Sequence, residues 1–384
     1  MEFTIEKLVY GGDGLARVDG RVALTPFVLP GETIRAEAKP SNGGVLRGKL
    51  LDVISPSPAR AQPPCPYFMR CGGCQYQHID YAEQLAQKRA ILRESIERIG
   101  KICFNSDIAV IASEPWSYRN RVQLHVENGR VGYREHGSMK LCAIDRCPVS
   151  SPKLNEVIAK LNAEIPYAGR YDGTLELFTN EIDLQVSPAA RVTRRMRELL
   201  DSLGTAMPIE YAGLRVSRNS FFQVNRFLIP KLVEAATTVA SGSLALDLYA
   251  GAGLFSMALA KRFTRVIAVE AGASAYRDLV QNASRSGAAI ESHWAAVEDF
   301  LVKFSETPDF ILADPPRAGI GKKAAVQLLR IRARRLVLVS CDPATLARDL
   351  AQLAAGGYHI ESIALIDLFP QTFHLETVVH LAAA

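Results

Sequence analysis

The chain has 384 residues, enough to bury more than one hydrophobic core, so we expect two or three domains. Lysine and arginine number 45 against 40 aspartate and glutamate residues, and the formal charge of +5 permits nucleic-acid binding without requiring it. The sequence has no run of about 18 apolar residues and no export pattern in its first ten residues, so we expect a cytoplasmic protein without membrane spans.

Residues 1–55 alternate short β-like runs with glycine-rich turns, a pattern typical of a small barrel. Such a barrel could bind nucleic acid or only pack against the rest of the chain, and its own residues leave both open. The proline-rich stretch Ser55–Pro66 follows and predicts a linker.

Three cysteines, Cys65, Cys71 and Cys74, stand within ten residues at the end of this linker. Clustered thiols separated by glycines indicate a metal or iron–sulfur site, and either kind needs a fourth ligand. Cys147 is the candidate for the fourth ligand and Cys142 is its rival. Spacing alone does not choose between zinc and a cluster.

Residues 60–215 are predicted to form a second, β-rich domain. Residues 81–99 have apolar positions at helical spacing and predict an amphipathic helix, which could pack on the C-terminal domain instead. An Asn-Gly pair predicts a hairpin near residue 128. This hairpin is basic, and either contact with RNA or ordinary surface exposure would explain its four arginines, Arg119, Arg121, Arg130 and Arg134.

From Leu244 onward the pattern changes to strand followed by helix, repeatedly, which is typical of a doubly wound parallel sheet. A glycine turn follows the first strand, and Glu270 ends the next strand about twenty residues later, where a carboxylate can accept ribose hydroxyls. Asp314 follows another strand, and the two prolines after it keep the loop extended. The segments Tyr358–Leu368 and Glu376–Leu381 predict a terminal antiparallel pair.

The sequence LVLVSCDPATLARD predicts a buried strand followed by a helix that begins at Pro343, so Cys341 falls at the carboxyl end of a strand. Ligands bind at that edge of open α/β sheets, which makes Cys341 a candidate nucleophile, with a buried structural cysteine as the alternative. We expect the start of the helix to favour a thiolate. Seven basic residues between Gly321 and Arg348 are expected beside Cys341, where they suit a polyanionic substrate or form a solvated helix face.

The motifs Asp-Leu-Tyr-Ala-Gly-Ala-Gly, Asp-Pro-Pro-Arg-Ala-Gly and Ser-Cys-Asp-Pro, in this order, resemble those of the S-adenosylmethionine-dependent RNA uridine 5-methyltransferases. The resemblance covers essentially the whole chain and implies an α/β fold with a doubly wound class I methyltransferase sheet at residues 216–384. It also implies a TRAM-type RNA-binding barrel at residues 1–55 and a central iron–sulfur and RNA-binding domain at residues 60–215. The implied ligands of a 4Fe–4S cluster are Cys65, Cys71, Cys74 and Cys147.

The same resemblance implies roles for residues of the C-terminal domain. Cys341 would add to carbon 6 of uracil, and Glu376 would remove the proton from carbon 5, with His374 as the competing base because histidine titrates near neutrality. The residues that would line the cofactor site are Gln223, Tyr249, Glu270 and Asp314. One departure is Leu254, where relatives often carry asparagine.

The expected product is 5-methyluridine in RNA, and 23S ribosomal RNA is the expected target because bacterial tRNA enzymes of this family usually lack both the barrel and the cluster. The alternatives are a tRNA uridine 5-methyltransferase, an RNA cytosine 5-methyltransferase and a non-catalytic RNA-binding protein. We expect S-adenosylmethionine as the cofactor, RNA as the partner and a monomeric state.

Overall fold

The computed structural model of the chain describes residues 1–168, 171–238 and 241–384. Its first strands are β1 Glu2–Thr4, β2 Lys7–Leu8, β3 Asp13–Val18, β4 Arg21–Pro26, β5 Thr33–Pro40 and β6 Leu46–Ser55. They share one sheet in the order β1-β5-β6-β4-β3-β2, which we call the N-terminal β-domain, residues 1–55. Buried residues such as Ile5, Val28 and Ile34 give this sheet a hydrophobic core of its own. The short strands expected in this segment are confirmed.

Helix α1 spans Tyr81–Arg98 and buries one face, as its periodicity predicts. Its buried residues Leu92 and Ile96 belong to the same hydrophobic cluster as the C-terminal sheet. Strand β7, Ala109–Ile111, also joins that sheet as its outermost strand, where it pairs in parallel with residues 364–366. The central domain predicted at residues 60–215 includes this segment, but a three-residue strand carries no pattern that identifies its sheet.

The central sheet has the strand order β10-β9-β8-β11-β12. Its strands and the helices that cover it are β8 Arg121–Glu127, β9 Arg130–Arg134, β10 Leu141–Ala143, α2 Pro152–Glu164, β11 Gly173–Thr179, β12 Leu184–Pro188 and α3 Arg194–Leu203. Asn128 and Gly129 connect β8 to β9 with positive φ angles of 49° and 74°, which is the hairpin turn that the Asn-Gly pair predicts.

The remaining chain builds the C-terminal sheet, after the hairpin β13 Ile209–Tyr211 and β14 Leu214–Val216 and the helix α4 Ile229–Thr237. Its elements are β15 Gly242–Leu248, α5 Leu254–Leu259, β16 Phe263–Glu270, α6 Ala273–Ser286, β17 Ile290–Trp294, α7 Val297–Lys303, β18 Phe310–Ala313, α8 Gly321–Ile331, β19 Arg335–Ser340, α9 Pro343–Ala355, β20 Tyr358–Ile366 and β21 Glu376–Ala383. The strand order is β17-β16-β15-β18-β19-β21-β20-β7. The predicted doubly wound sheet and terminal antiparallel pair are confirmed.

This topology brings the ends of several strands to one edge. Strands β15 to β19 are parallel, so their carboxyl ends meet there. Strand β21 runs antiparallel to β19, with Thr377 opposite Ser340, so the first residue of β21 comes to the same edge. The N-terminal β-domain docks beside it, with Leu8 and Leu29 buried in the cluster of the C-terminal sheet. Within the described parts of the chain, no helix is long and apolar enough to span a bilayer.

Candidate functional site

Cys341 directly follows β19, and α9 begins two residues later. Asp342 lies between them and caps the helix, since its Oδ1 accepts hydrogen bonds from the backbone N–H groups of Ala344 at 3.0 Å and Thr345 at 2.9 Å. The cap satisfies two N–H groups at the start of the helix and stabilises the turn that carries the cysteine. The structure thus places the partly buried Cys341 at the sheet edge that the sequence predicts.

The charge state of Cys341 differs from the prediction. Burial raises the pKa of the thiol to about 11, with the nearby carboxylate of Glu376 acting in the same direction and Arg317 acting against it. The expected thiolate is therefore not the form of Cys341 in the free protein, because desolvation and the nearby acidic groups Glu376 and Asp314 raise the pKa of the thiol. Cys341 carries its proton at neutral pH and must lose it before it can act as a nucleophile.

Three acidic side chains, Asp247, Asp314 and Glu376, lie near one another at the same edge. Burial raises the pKa of Asp247 to about 7, and burial together with the charge of Asp247 raises that of Asp314 to about 7. Burial and Asp314 hold the pKa of Glu376 well above its usual value. Like charges in a site with little water do not all ionise, so a bound cation would stabilise the ionised forms of this acidic group.

Glu270, the last residue of β16, braces the glycine turn after β15. Its Oε2 accepts a hydrogen bond from the N–H of Gly251 at 2.8 Å, and its Oε1 accepts one from Gly272 at 2.5 Å. Gly253 ends the turn with φ +94°, a conformation that favours glycine, and α5 begins after it. Each carboxylate oxygen can accept a second hydrogen bond, so Glu270 keeps capacity for ribose hydroxyls.

Two buried polar atoms of this region, Oδ1 of Asp247 and the hydroxyl of Tyr249, have no hydrogen-bond partner among the described residues. Tyr249 follows β15 with φ +63°, and burial raises the pKa of its phenol. Buried polar atoms without partners are costly, so their presence here fits a polar ligand at the carboxyl edge. Together with the acidic group, they fit a ligand that carries a positive charge and a ribose, as S-adenosylmethionine does.

Gln223 and Leu254 are the remaining positions that the resemblance singles out. Gln223 is buried in the loop between β14 and α4, where its backbone carbonyl accepts a hydrogen bond from Asn120 Nδ2 at 3.4 Å. No described hydrogen bond links Gln223 to the other cofactor candidates, so its cofactor contact stays a prediction. Leu254, which stands where relatives often carry asparagine, begins α5. Its side chain packs against the apolar cluster that contains Phe222.

The two candidate bases have different environments. The ring of His374 lies 4.3 Å from that of Phe373, and its Nδ1 is 3.5 Å from Nη2 of Arg317. Burial and Arg317 lower the pKa of His374 to about 4, so at neutral pH this side chain is a weak proton acceptor. Glu376 has a raised pKa and is close enough to influence Cys341, and these properties favour Glu376 as the base.

Sequence reasoning missed the side chains that hold the loop between β20 and β21, which we call the 367–375 loop. Lys88 of α1 donates to Oδ1 of Asp367 at 2.6 Å, and both side chains are fully buried. One turn earlier on α1, Gln84 and Gln371 exchange two hydrogen bonds of 3.0 Å. The sequence does contain a signal for these contacts. Gln84 and Lys88 are polar residues four positions apart on the apolar face of the predicted helix, which indicates buried polar partners.

Part of the basic cluster between Gly321 and Arg348 lies away from the nucleophile. Arg335 is the first residue of β19 and Arg334 directly precedes it, so the extended strand separates both from Cys341 by roughly 20 Å or more. Arg330 donates to the backbone carbonyls of Leu301, near the end of α7, and Phe304, directly after it, which makes its role structural. The expectation that the cluster stands beside Cys341 is therefore wrong for these residues.

Most arginines of the basic hairpin make contacts within the protein. Arg121 and Arg134 form ion pairs with acidic residues of the central sheet, and Arg119 lines an internal cavity. Arg130 is exposed. RNA contact by this hairpin is therefore a prediction for Arg130 rather than for all four arginines.

A cavity of about 230 Å³, which we call the cysteine cavity, lies between the residues after the linker and the central sheet. The four cysteines that line it are Cys65, Cys71, Cys74 and Cys147. Cys142 is buried in β10 and is not part of the lining. In the described residues, no group of three or more histidine, cysteine, aspartate or glutamate side chains is arranged to hold a single metal ion.

The chain matches the family model described as tRNA (Uracil-5-)-methyltransferase over residues 205–287 and 298–384, and the TRAM domain model over residues 1–51. It is 32% identical to the 23S rRNA (uracil(1939)-C(5))-methyltransferase RlmD of Chromohalobacter salexigens, over 98% of this chain and 88% of the relative. It is 30% identical to an uncharacterized RNA methyltransferase of Aquifex aeolicus, over 99% of this chain and 98% of the relative.

A solved structure has the same fold along the entire chain. It is the tRNA (uracil-54, C5)-methyltransferase of Pyrococcus abyssi in complex with S-adenosyl-L-homocysteine, with a TM-score of 0.79, 24% sequence identity and coverage of 100% of both chains. At this identity the likeness concerns the fold alone. It agrees with the observed order of an N-terminal β-domain, a central sheet and a doubly wound C-terminal sheet.

Proposed function

The chain belongs to the RNA (uracil-5-)-methyltransferase family, and from this premise we propose that it forms 5-methyluridine in 23S ribosomal RNA through a covalent adduct with Cys341. The observation that carries the proposal is the meeting of Cys341, Asp314 and Glu376 at the carboxyl edge of one sheet. The family match and the named full-length relatives argue against a cytosine 5-methyltransferase and against a non-catalytic RNA-binding protein.

Carbon 5 of uracil is a poor nucleophile, and addition of a thiolate to carbon 6 changes that. Cys341, once deprotonated, forms a bond from Sγ to carbon 6, and the electron pair of the ring double bond becomes available at carbon 5. S-adenosylmethionine, when bound, supplies a methyl group on a positively charged sulfur. After carbon 5 takes the methyl group, Glu376 removes the proton left there, the double bond forms again, and Sγ leaves with its electron pair.

The cofactor assignment is supported by the unpaired polar atoms and by the acidic group. Glu270 would bind the ribose hydroxyls, Asp314 would favour a positively charged ligand, and Tyr249 and Gln223 would be further contacts. A positive charge held there would favour the ionised forms of its neighbours, so it would oppose the factors that raise the pKa of Cys341. Cys341 would then lose its proton more readily before it attacks the uracil.

The choice of target RNA is supported by the relatives that match the chain along its whole length. Three of them are named 23S rRNA (uracil(1939)-C(5))-methyltransferases, and their similarity covers at least 97% of this chain, so it includes the N-terminal β-domain. A uridine in structured RNA must leave its stack before Cys341 can reach it, and an RNA-binding domain beside the site suits that step. A tRNA uridine is the alternative target, since the solved structure with the same fold is named for tRNA.

We also propose that the cysteine cavity holds a 4Fe–4S cluster. In such a cluster each of the four irons takes one thiolate, so the ligands surround a space of some size, whereas a zinc ion requires four ligands at one point. The four thiols around a cavity of about 230 Å³ fit the first arrangement. Arg119 in the lining could offset part of the negative charge of the thiolates. When bound, the cluster would tie residues 65–74 to Cys147.

Mapping 5-methyluridine in ribosomal and transfer RNA from a strain that lacks this gene tests the target and the nucleophile together. We expect at least one 23S position to lose its methyl group and tRNA positions to keep theirs. A plasmid with the unaltered gene should restore the 23S methylation, and the Cys341→Ala gene should not. Loss confined to tRNA would establish the alternative target, and unchanged RNA would contradict the proposal.

A further inference from the structure

Tyr10 of the N-terminal β-domain contacts the turn between β19 and α9 that carries Cys341. It lies in the loop between β2 and β3, and its hydroxyl donates a hydrogen bond to the backbone carbonyl of Cys341 at 3.2 Å. Its ring packs edge-on against Phe373, with the ring centroids 5.4 Å apart and the planes at 87°. One side chain therefore touches both the proposed nucleophile and the loop that leads to the proposed base, Glu376.

The loop that carries Tyr10 is shaped for this close approach. The N–H of Gly12 donates to the carbonyl of Val9 at 3.2 Å, which closes a tight turn around Tyr10. Gly12 has φ +95°, and a Cβ at this position would lie 3.1 Å from Gln75 and 3.4 Å from Phe373. Because glycine alone allows this conformation and this distance without strain, the turn presents Tyr10 with little freedom.

Tyr10 also lies beside Asp342, the residue that caps α9. Burial, and next the charge of Asp342, raise the pKa of the Tyr10 phenol, so its hydroxyl keeps its proton and remains a donor. The donor is directed at the peptide that joins Cys341 to Asp342. Fixing this peptide limits the directions in which Sγ of Cys341 can point.

Docking of the N-terminal β-domain does not require the Tyr10 hydroxyl. Leu8 and Leu29 are already buried in the cluster of the C-terminal sheet, and burial of apolar surface stabilises such an interface. Lys7 also forms an ion pair with Glu94 of α1 at 2.6 Å. The bond to the carbonyl of Cys341 is therefore an additional contact, and it falls on the residue whose orientation matters for the reaction.

We propose that Tyr10 is a positioning residue for methyl transfer and that its ring, with Phe373, forms one side of the pocket that receives the target uracil. The inference rests on the proposed adduct at Cys341. Addition to carbon 6 requires Sγ to approach the face of the ring, and a misplacement of about 1 Å can cost about 100-fold in rate. An aromatic surface at the pocket also suits an unstacked base. The N-terminal β-domain thereby forms part of the active site.

Kinetics of three variants test the inference, with RNA from cells that lack the enzyme as substrate. Tyr10→Phe keeps the ring and removes the hydroxyl, so we expect kcat to fall about tenfold, the effect of one hydrogen bond, with unchanged KM for RNA. Tyr10→Ala removes the ring as well and should also raise KM for RNA. Lys7→Gln is the matched control, because it removes a docking contact of the same domain and leaves Tyr10 in place; its kcat should not change.

A normal kcat for Tyr10→Phe would overturn the inference. An equal fall of kcat in Lys7→Gln would also overturn it, because the effect would then come from weaker docking of the domain. Affinity for S-adenosylmethionine, measured by equilibrium dialysis, should be the same in all three variants. Failure of the adduct mechanism is distinguishable, since it would appear as turnover by Cys341→Ala, whereas failure of the role of Tyr10 appears as turnover by Tyr10→Phe.

Discussion

Replacing Lys88 by methionine should cause a large loss of stability. Lys88 and Asp367 are both fully buried, with Nζ and Oδ1 2.6 Å apart. The substitution leaves the Asp367 carboxylate buried without its cation, and the Tyr81 hydroxyl, at 2.9 Å, remains as its described side-chain partner. Removing one member of a buried pair costs about 3–5 kcal/mol. At roughly 2–4 °C per kcal/mol, the melting temperature should fall by about 6–20 °C.

Thermal unfolding followed by circular dichroism measures this loss. Lys231→Met is the matched control, because Lys231 pairs with Glu234 at 2.9 Å on the exposed face of α4, and exposed pairs contribute less than about 1 kcal/mol. The Lys88 variant should also have a lower kcat than the control. The reason is that Asp367 begins the loop whose far end leads into Glu376.

A double variant separates the buried charge from other effects of the substitution. Lys88→Met combined with Asp367→Asn leaves no isolated charge in the site, so it should regain at least about 2 kcal/mol relative to the single variant. A loss below about 1 kcal/mol in the single variant would refute the reasoning, given the range for buried pairs. A double variant that is no more stable than the single one would refute it as well.

Three further predictions concern the chemistry. Cys341→Ala should bind S-adenosylmethionine with unchanged affinity in equilibrium dialysis and form no 5-methyluridine, and near-normal turnover would contradict the adduct. Glu376→Gln should still transfer the methyl group but release the RNA about 10²–10⁴-fold more slowly, so that an adduct labelled in its methyl group accumulates on a denaturing gel. If His374→Ala accumulates the adduct instead, the base is His374. Protein purified without oxygen should contain about four irons per chain, lost in Cys147→Ser and retained in Cys142→Ser, and stoichiometric zinc without sulfide would contradict the cluster.

The ends of strands correctly predicted where the main candidate residues lie in the sheet. A buried parallel strand is a short apolar run, and the first polar or reactive residue after it marks the carboxyl end. This pattern places Asp314 and Cys341 at one edge of the sheet from the chain alone. The terminal antiparallel pair adds Glu376, because a strand that returns antiparallel begins at the edge where its parallel neighbour ends.

Two predictions about Cys341, its basic neighbours and its charge state, relied on closeness along the chain. Both properties depend instead on distances in the folded structure. Arg334 is only seven positions from Cys341, but an extended strand rises about 3.3 Å per residue and carries the two to opposite edges of the sheet. The start of α9 is adjacent to Cys341 in the sequence. The pKa of the thiol is nevertheless raised mainly by burial and by Glu376, which is far along the chain but close in space. Both errors arise because desolvation and separation depend on the packing of the whole domain.

By itself, the sequence determined the type of most main elements, their approximate bounds and the chemistry that the residues at strand ends can perform, because these follow from local patterns. Only the tertiary structure decided which distant segments meet: β7 at the far edge of the C-terminal sheet, Lys88 on Asp367 and Tyr10 on Cys341. The two members of each contact carry no local pattern that identifies the other. Their pairing is stabilised by burial that exists only when both segments are folded against the same core.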